Sequence, residues 1–389
     1  MPKEEVALHL GLCPSSKCNR NCLHCSADAS MEKGCLFTLE NALFLASNLR
    51  KLAKTKKKLN FFFTFTGDGE PLINPDLVGI FDILFGLCPD IEISFITSGV
   101  NSPEEEKRLL ELVKRPYAKK INFHVSFNLF QKDFPKRIVK TMEILFKNGI
   151  DDVYVKICLT NKGAFRSIGK LDKIILKNFS PWIREVRPII FEEDDFPPIN
   201  LQRDAEPAIA NICKVYLSDI TKDNMADVAY LGLIDIRSPT KKTLAEEKVF
   251  LQTNFSQSFS FKTIYGKKRI TYAPHFLTKR GRARNFQIEK CCRPCAYLRG
   301  SKFSSLYIGA DGYYYPDCEC PPVESLRLGH VKDRLKNVIV TFFEYRKFLL
   351  MELISGRRNY SCICDHCIKV ANQMVHRIGQ LPMELLEDF

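Results

Sequence analysis

Cys18, Cys22 and Cys25 fall within eight residues of one another, a spacing at which thiols hold metal. Three thiolates on one short loop can grip three corners of a four-iron cube and leave the fourth iron open. Iron–sulfur clusters are ordinarily held by four protein ligands, so a three-ligand loop invites another molecule onto the last iron. Zinc is the competing occupant, because short cysteine spacings also suit a tetrahedral site, with Cys13 as a fourth ligand. The remaining thiols are unevenly spread. Five of the sixteen cysteines lie in the first 35 residues, Cys88, Cys158 and Cys213 are scattered, and eight lie between Cys291 and Cys367. That distribution in a chain of 389 residues speaks for two metal sites rather than a disulfide scaffold, and for a reducing compartment.

The elements that must position these thiols alternate. Apolar runs predict strands over 6–12, 60–66, 91–97, 121–127, 153–159 and 186–191. Helical periodicity lies between them over 39–52, 77–87 and 134–147, and Pro103 opens another helix in an acidic stretch. Strands separated by single helices imply parallel βαβ units with right-handed crossovers. Six such units predict an α/β chain built on a partial, open (β/α)6 TIM-like barrel. Residues of chemical interest then fall at the carboxyl ends of the strands, where parallel α/β folds gather their ligands.

C-x3-C-x2-C with an aromatic ring, His24, before its last cysteine resembles the signature of the radical S-adenosylmethionine (radical SAM) enzymes. The loops after the strands resemble that family too. Gly67, Asp68, Gly69 and Glu70 stand where the family has Gly-Gly-Glu beside the methionine amino group, with Asp68 as an interruption. Thr97, Ser98 and Gly99 are similar to a Thr-Asn-Gly ending. Ser126 and Asn128 resemble a Ser-x-Asp ending, in which the serine meets the methionine carboxylate and Asn128 lacks the family's charge. The resemblance implies a [4Fe-4S] cluster held by Cys18, Cys22 and Cys25, with S-adenosylmethionine bound by Gly67, Asp68, Gly69, Glu70, Thr97, Ser98, Ser126 and Asn128.

The second cysteine group resembles the SPASM or twitch extension of such enzymes. Cys295, a hairpin over 306–315 through Asp311-Gly312, Cys318, a Leu328-Gly329 turn, a helical stretch and Cys364-x-x-Cys367 follow one another in that order. The likeness implies one auxiliary [4Fe-4S] cluster on Cys295, Cys318, Cys364 and Cys367, with two clusters as the alternative. Cys291, Cys292, Cys320 and Cys362 stay unassigned, and a structural zinc would serve the same four thiols. The chain is thus expected to divide into a core barrel over 1–195, a bridging, substrate-shaping region over 196–285 and a smaller C-terminal α+β iron–sulfur domain over 286–389.

A composition 45% hydrophobic suffices for two or three packed units. No signal peptide opens the chain, and the longest apolar stretch falls well short of the ~20 residues of a membrane span, so a cytoplasmic protein is expected. The net charge of +13 collects in runs over 54–58, 267–269, 279–284 and 357–358. Such runs attract polyanions but are equally solvated faces, and nucleic acid is not an expected partner. Arg280, Arg282 and Arg284 around Gly281 would clamp an anion or line a basic loop.

The resemblance implies a radical SAM oxidoreductase or maturase. It would reductively cleave S-adenosylmethionine to a 5′-deoxyadenosyl radical, using electrons from a flavodoxin- or ferredoxin-type donor. The radical would take hydrogen from a peptide or protein, giving crosslinking, oxidation or epimerisation. Cys158, at the end of the fifth strand, is the candidate hydrogen donor. The alternatives are a dehydrogenase or epimerase of a sugar or aminocyclitol and, in another class, a non-catalytic metal-stapled binding protein.

Overall fold

The computed structural model describes residues 6–22, 25, 27–54, 59–127, 134–159, 183–188, 257–263, 265–276, 303–316, 324–342 and 345. Strand β1 (Val6–Leu12) leads through the cysteine loop to helix α1 (Leu39–Ala53), and β2 (Leu59–Phe65) leads to α2 (Leu77–Leu87). Next come β3 (Glu92–Thr97), α3 (Pro103–Val113), β4 (Ile121–Phe127), α4 (Phe134–Lys147) and β5 (Asp152–Leu159). Six further strands complete the described residues: β6 (Ile183–Pro188), β7 (Gln257–Thr263), β8 (Gly266–Phe276), β9 (Phe303–Ile308), β10 (Tyr313–Tyr315) and β11 (Gly329–His330). All belong to one sheet in the order β11-β10-β9-β1-β2-β3-β4-β5-β8-β7-β6. This is a mixed α/β fold on a parallel sheet, consistent with the partial barrel expected.

Helix boundaries follow local chemistry. Thr38 accepts from Asn41 N to cap α1, and Ser102 accepts from Glu105 N ahead of Pro103 to cap α3. One face of the sheet is apolar: Leu10, Leu12, Phe61, Phe63, Phe65, Ile93, Phe95, Phe123, Val125, Val153 and Val155 are buried there. Phe81 of α2 stacks on Phe65 at 4.4 Å and meets Phe95 edge-on at 5.8 Å, so the helices seal this face. The alternate residues His9, Phe62, Thr64, Ser94, Ile96, His124, Ser126, Tyr154 and Lys156 are only half-buried. They form the other, inner face, which the period-2 geometry of strands requires.

The sixth parallel strand is not the one expected. The run at 186–191 corresponds to β6, which lies at the sheet's edge and pairs antiparallel with β7. The neighbour of β5 is β8, parallel from Asp152↔Arg269 to Leu159↔Phe276. Pro188 closes β6, and a residue without an N–H is tolerated at an edge. Pro274 hides β8 from a pattern search, because proline argues against an interior strand. It is accommodated because β7 pairs with β8 only as far as Gln257↔Tyr272, leaving Pro274 beyond the β7 ladder.

The hairpin expected over 306–315 is present as β9 and β10, closed by Gly309 N donating to Tyr313 O at 2.9 Å. Its strand β9 pairs parallel with β1 from Ala7↔Phe303 to Leu12↔Ile308, so it extends the barrel's own sheet. Part of the basic charge is neutralised locally. Lys268 meets Asp151 at 2.5 Å, and Arg269 is bidentate to Asp152 at 2.6 and 2.7 Å. Among the described residues no helix is long and apolar enough to cross a membrane.

Candidate cofactor site at the strand ends

The cysteine loop leaves β1 at Cys13 and is held against the loop after β2. Glu70 N donates to Lys17 O at 2.9 Å, and Cys18 N donates to Ser30 O at 3.2 Å. Gly69 is needed here for close approach, since a Cβ would collide with the carbonyls of Ser15 and Lys17. Asn74 closes the far side, its Nδ2 donating to Pro14 O at 2.6 Å and Phe37 O at 2.9 Å. Between Cys18 and Cys22, Asn21 takes φ 48°, a left-handed turn that asparagine tolerates better than most residues.

Glu70 organises the site. Its carboxylate, 2% exposed, accepts from Leu72 N at 3.2 Å, Thr97 Oγ1 at 2.6 Å, Ser98 N at 2.9 Å and Ser98 Oγ. Arg20, from within the cysteine loop, donates through Nε to Ser98 Oγ at 2.8 Å and through Nη2 to Gly99 O. Its Nε lies 3.9 Å from Glu70, and its Nη2 lies 2.7 Å from Glu105. Gly99, at φ 87°, supplies the turn that brings its carbonyl to Arg20. The loop after β1, the glycine loop after β2 and the Thr97-Ser98-Gly99 ending of β3 thus meet through one buried, charge-assisted network.

Asp68, the interruption in the glycine motif, accepts from Tyr307 Oη of β9 at 3.1 Å. Cys13 lies beside it, 1% exposed, with its Sγ donating to Ser15 O at 3.1 Å. Burial first, and the Asp68 carboxylate second, push the Cys13 thiol up to about 12. Cys13 therefore serves the wall behind the glycine loop.

Cys18, Cys22 and Cys25 are half-buried on the same loop, with Cys25 N donating to Cys22 O at 3.2 Å. Among the described residues, no three His, Cys, Asp or Glu side chains are drawn together tightly enough to hold a metal ion, these three included. The donor set itself suits a cluster: three thiols on one eight-residue loop, with the buried Glu70 and Arg20 beside Cys18. Burial, and then the nearby Glu70 charge, push the Cys18 thiol up to about 12. Such a thiol becomes a thiolate only when a metal supplies compensating positive charge.

Ser126 lies on the inner face of β4, in register with Lys156 of β5. Asn128 lies outside the described residues. So do His24, residues 279–284 and the whole second thiol group: Cys291, Cys292, Cys295, Cys318, Cys320, Cys362, Cys364 and Cys367. The backbone of Cys158 pairs with His275 at the carboxyl end of β5, and its side chain is likewise not described. Sequence patterns did not single out Arg20, Glu105, Tyr307, His124, Tyr154 or Lys156. His124 stacks on Tyr154 at 4.6 Å, and burial, with Lys156 adding to it, pushes its imidazole down to about 3. Arg20 stood in view inside the cysteine motif; Glu105 stood only as one residue of the acidic stretch that Pro103 opens.

A parallel β/α sheet with a three-cysteine loop after its first strand, locked to the loops after the next two, defines the class. Residues 12–162 match the family model described as Radical SAM superfamily, and this part of the chain is a radical SAM domain. The family implies a [4Fe-4S] cluster and S-adenosylmethionine. No curated protein matches the chain. Three solved structures similar to it are two of native anSMEcpe and one of BtrN. Native anSMEcpe with bound AdoMet is 14% identical, with a TM-score of 0.44, covering 95% of this chain and 98% of that one. Native anSMEcpe with bound AdoMet and Cp18Cys peptide is 14% identical, with a TM-score of 0.42, covering 98% and 99%. BtrN in complex with AdoMet and 2-DOIA is 11% identical, with a TM-score of 0.37, covering 93% and 96%.

Proposed function

We propose that this protein is a radical SAM oxidoreductase or maturase that takes hydrogen from a peptide or protein substrate. Cys18, Cys22 and Cys25 would hold the [4Fe-4S] cluster, which with S-adenosylmethionine supplies a 5′-deoxyadenosyl radical able to attack an unactivated C–H bond. The observation that carries the reading is the Glu70 network, which joins the cysteine loop to the ends of β2 and β3. Its hydrogen-bond polarity is informative. Ser98 Oγ gives its proton to Glu70 and accepts from Arg20, so its remaining lone pair can only accept. That suits an ammonium donor, such as the methionine amine. Glu70 and Arg20 then act as the frame that orients Ser98. Ser126 keeps a hydroxyl able to donate to a carboxylate, and Asn128 would add an uncharged amide.

The inner face supports a substrate with many hydrogen-bonding groups. His9 Nε2 lies 2.8 Å from Thr64 Oγ1, and Ser94, His124, Tyr154 and Lys156 continue a wall of polar and aromatic side chains across β3 to β5. Such a wall can pair with peptide groups while aromatic rings limit water. The auxiliary cluster on Cys295, Cys318, Cys364 and Cys367 would remove the substrate's unpaired electron or anchor the substrate, and Cys158 would be the thiol that returns a hydrogen. Division into a barrel over 1–195, a bridge over 196–285 and a cluster domain over 286–389 belongs to the same proposal, as does a flavodoxin- or ferredoxin-type donor.

The test is to incubate anaerobically reduced protein with S-adenosylmethionine and a deuterated peptide pool, with deuterated aminocyclitols in parallel. Deuterium in 5′-deoxyadenosine from the peptide arm supports the proposal. Deuterium only from the aminocyclitol arm would replace the substrate class and keep the chemistry. Failure to form 5′-deoxyadenosine under any condition would end both.

A further inference from the structure

We propose that Glu105, on the first turn of α3 and outside every cofactor motif, is the positioning residue of the cysteine loop. The inference rests on the radical SAM reading of that loop. The Glu105 carboxylate is 2% exposed and accepts from Asn19 Nδ2 at 2.9 Å, Arg20 Nη2 at 2.7 Å and Asn101 N at 2.7 Å. Asn19 and Arg20 are the two residues that follow Cys18. One carboxylate therefore holds the side chains of two of the three residues between the first two cysteines.

The arrangement constrains more than one atom. The Arg20 side chain, 1% exposed, spans Glu105 on one side and Ser98, Gly99 and Glu70 on the other. A planar guanidinium donating in several directions cannot rotate or slide without breaking more than one charge-assisted bond. On the backbone, Lys17 O is held by Glu70 N and Cys18 N by Ser30 O. Cys18 therefore sits between a backbone tether on one side and a side-chain tether on the other. Through Arg20, Glu105 sets where the first cysteine stands relative to Ser98 and Glu70, which is to say cluster ligand relative to cofactor-binding hydroxyl. A buried ion pair is weak support for stability, since an apolar pair of similar volume often does as well. Its value here is the fixed geometry.

Three variants test this: Glu105→Gln, Glu105→Ala and, as a stability control, Leu109→Ala one turn along the same helix, where the side chain is fully buried. In the metal-free protein, alkylation of the Cys18 peptide is followed by mass spectrometry. Glu105→Ala should speed it about 10-fold or more, because the loop loses both of its side-chain tethers to α3. Glu105→Gln should give a smaller increase, since its amide oxygen still accepts from one partner. Leu109→Ala should match the wild type while folded. In iron-reconstituted protein, the change in the reduced cluster's spectrum on adding S-adenosylmethionine should weaken in Glu105→Ala and persist in Leu109→Ala. Equal alkylation rates and equal spectra in variants of equal melting temperature would overturn the proposal and leave Glu105 a stabilising residue only. If the wild type takes up no iron, the functional reading fails, while the alkylation ranking still decides whether Glu105 positions the loop.

Discussion

The strand ends on the β2–β3 side of the sheet and those on the β4–β5 side are built by different means. On the first side Arg20, Glu70, Thr97 and Glu105 are buried to 5% exposure or less, and their polar atoms are engaged with one another. On the second, Ser126, Tyr154 and Lys156 are half-buried, and the register is held by backbone ladders and the His124–Tyr154 stack. A polar network that is buried and densely hydrogen-bonded is rigid, because any displacement breaks several bonds at once. A half-exposed polar wall can change partners at little cost. Under the proposed function, the first side would hold the cofactor firmly and the second would meet the substrate, with Ser126 at the border reaching back to the cofactor.

Several changes would break or sharpen that contrast. Replacing Cys18, Cys22 and Cys25 together by alanine should abolish 5′-deoxyadenosine formation, measured chromatographically under reducing, anaerobic conditions. It should also leave roughly four irons if Cys295, Cys318, Cys364 and Cys367 hold one cluster; about eight would mean two. Glu70→Ala should come next in effect. It leaves Leu72 N, Thr97 Oγ1, Ser98 N and Ser98 Oγ without their shared acceptor and should cost about 3 kcal/mol in denaturant unfolding, as stranded buried donors do. Lys156→Met, on the half-buried side, should cost less than about 1 kcal/mol, since the side chain is only partly buried, yet should reduce product more than 5′-deoxyadenosine. A Lys156 variant as unstable as the Glu70 variant would erase the distinction between the two sides.

The pH dependence of stability probes the same side more finely. His124 is neutral in the fold because its pKa lies at about 3, below the usual value of 6.5. The unfolded chain therefore takes up a proton that the folded one refuses as pH falls below 6.5. Stability should fall with decreasing pH from there toward about 3, by up to about 1.4 kcal/mol per pH unit from this residue. His124→Phe should flatten that limb in urea melts at pH 7, 6 and 5. An unchanged slope would mean that other groups carry it.

Much of the β1–β5 region was legible because its signals are local. Phe61, Phe63 and Phe65 alternate with less buried residues, Ser102-Pro103 announces a helix start, and the cysteine spacing stands on a single loop. What escaped was set by partners distant in sequence. The strand beside β5 contains Pro274, a residue that argues against interior strands until its missing β7 neighbour is known. The strand on the other flank of β1 arrives from Phe303–Ile308, almost 300 residues later. Glu105 stood only as one residue of the acidic stretch that Pro103 opens; only the fold brings it to Asn19 and Arg20. Asp68 read as a flaw in a glycine motif and proves to be the residue that Tyr307 of β9 holds.

Electron paramagnetic resonance of the anaerobically reconstituted, dithionite-reduced protein, with and without S-adenosylmethionine, tests the central claim most directly. The account predicts a four-iron signal that shifts when S-adenosylmethionine is added, and loss of that shift when Cys18, Cys22 and Cys25 are replaced. A protein that takes up zinc in place of iron, or a signal indifferent to S-adenosylmethionine, would contradict it.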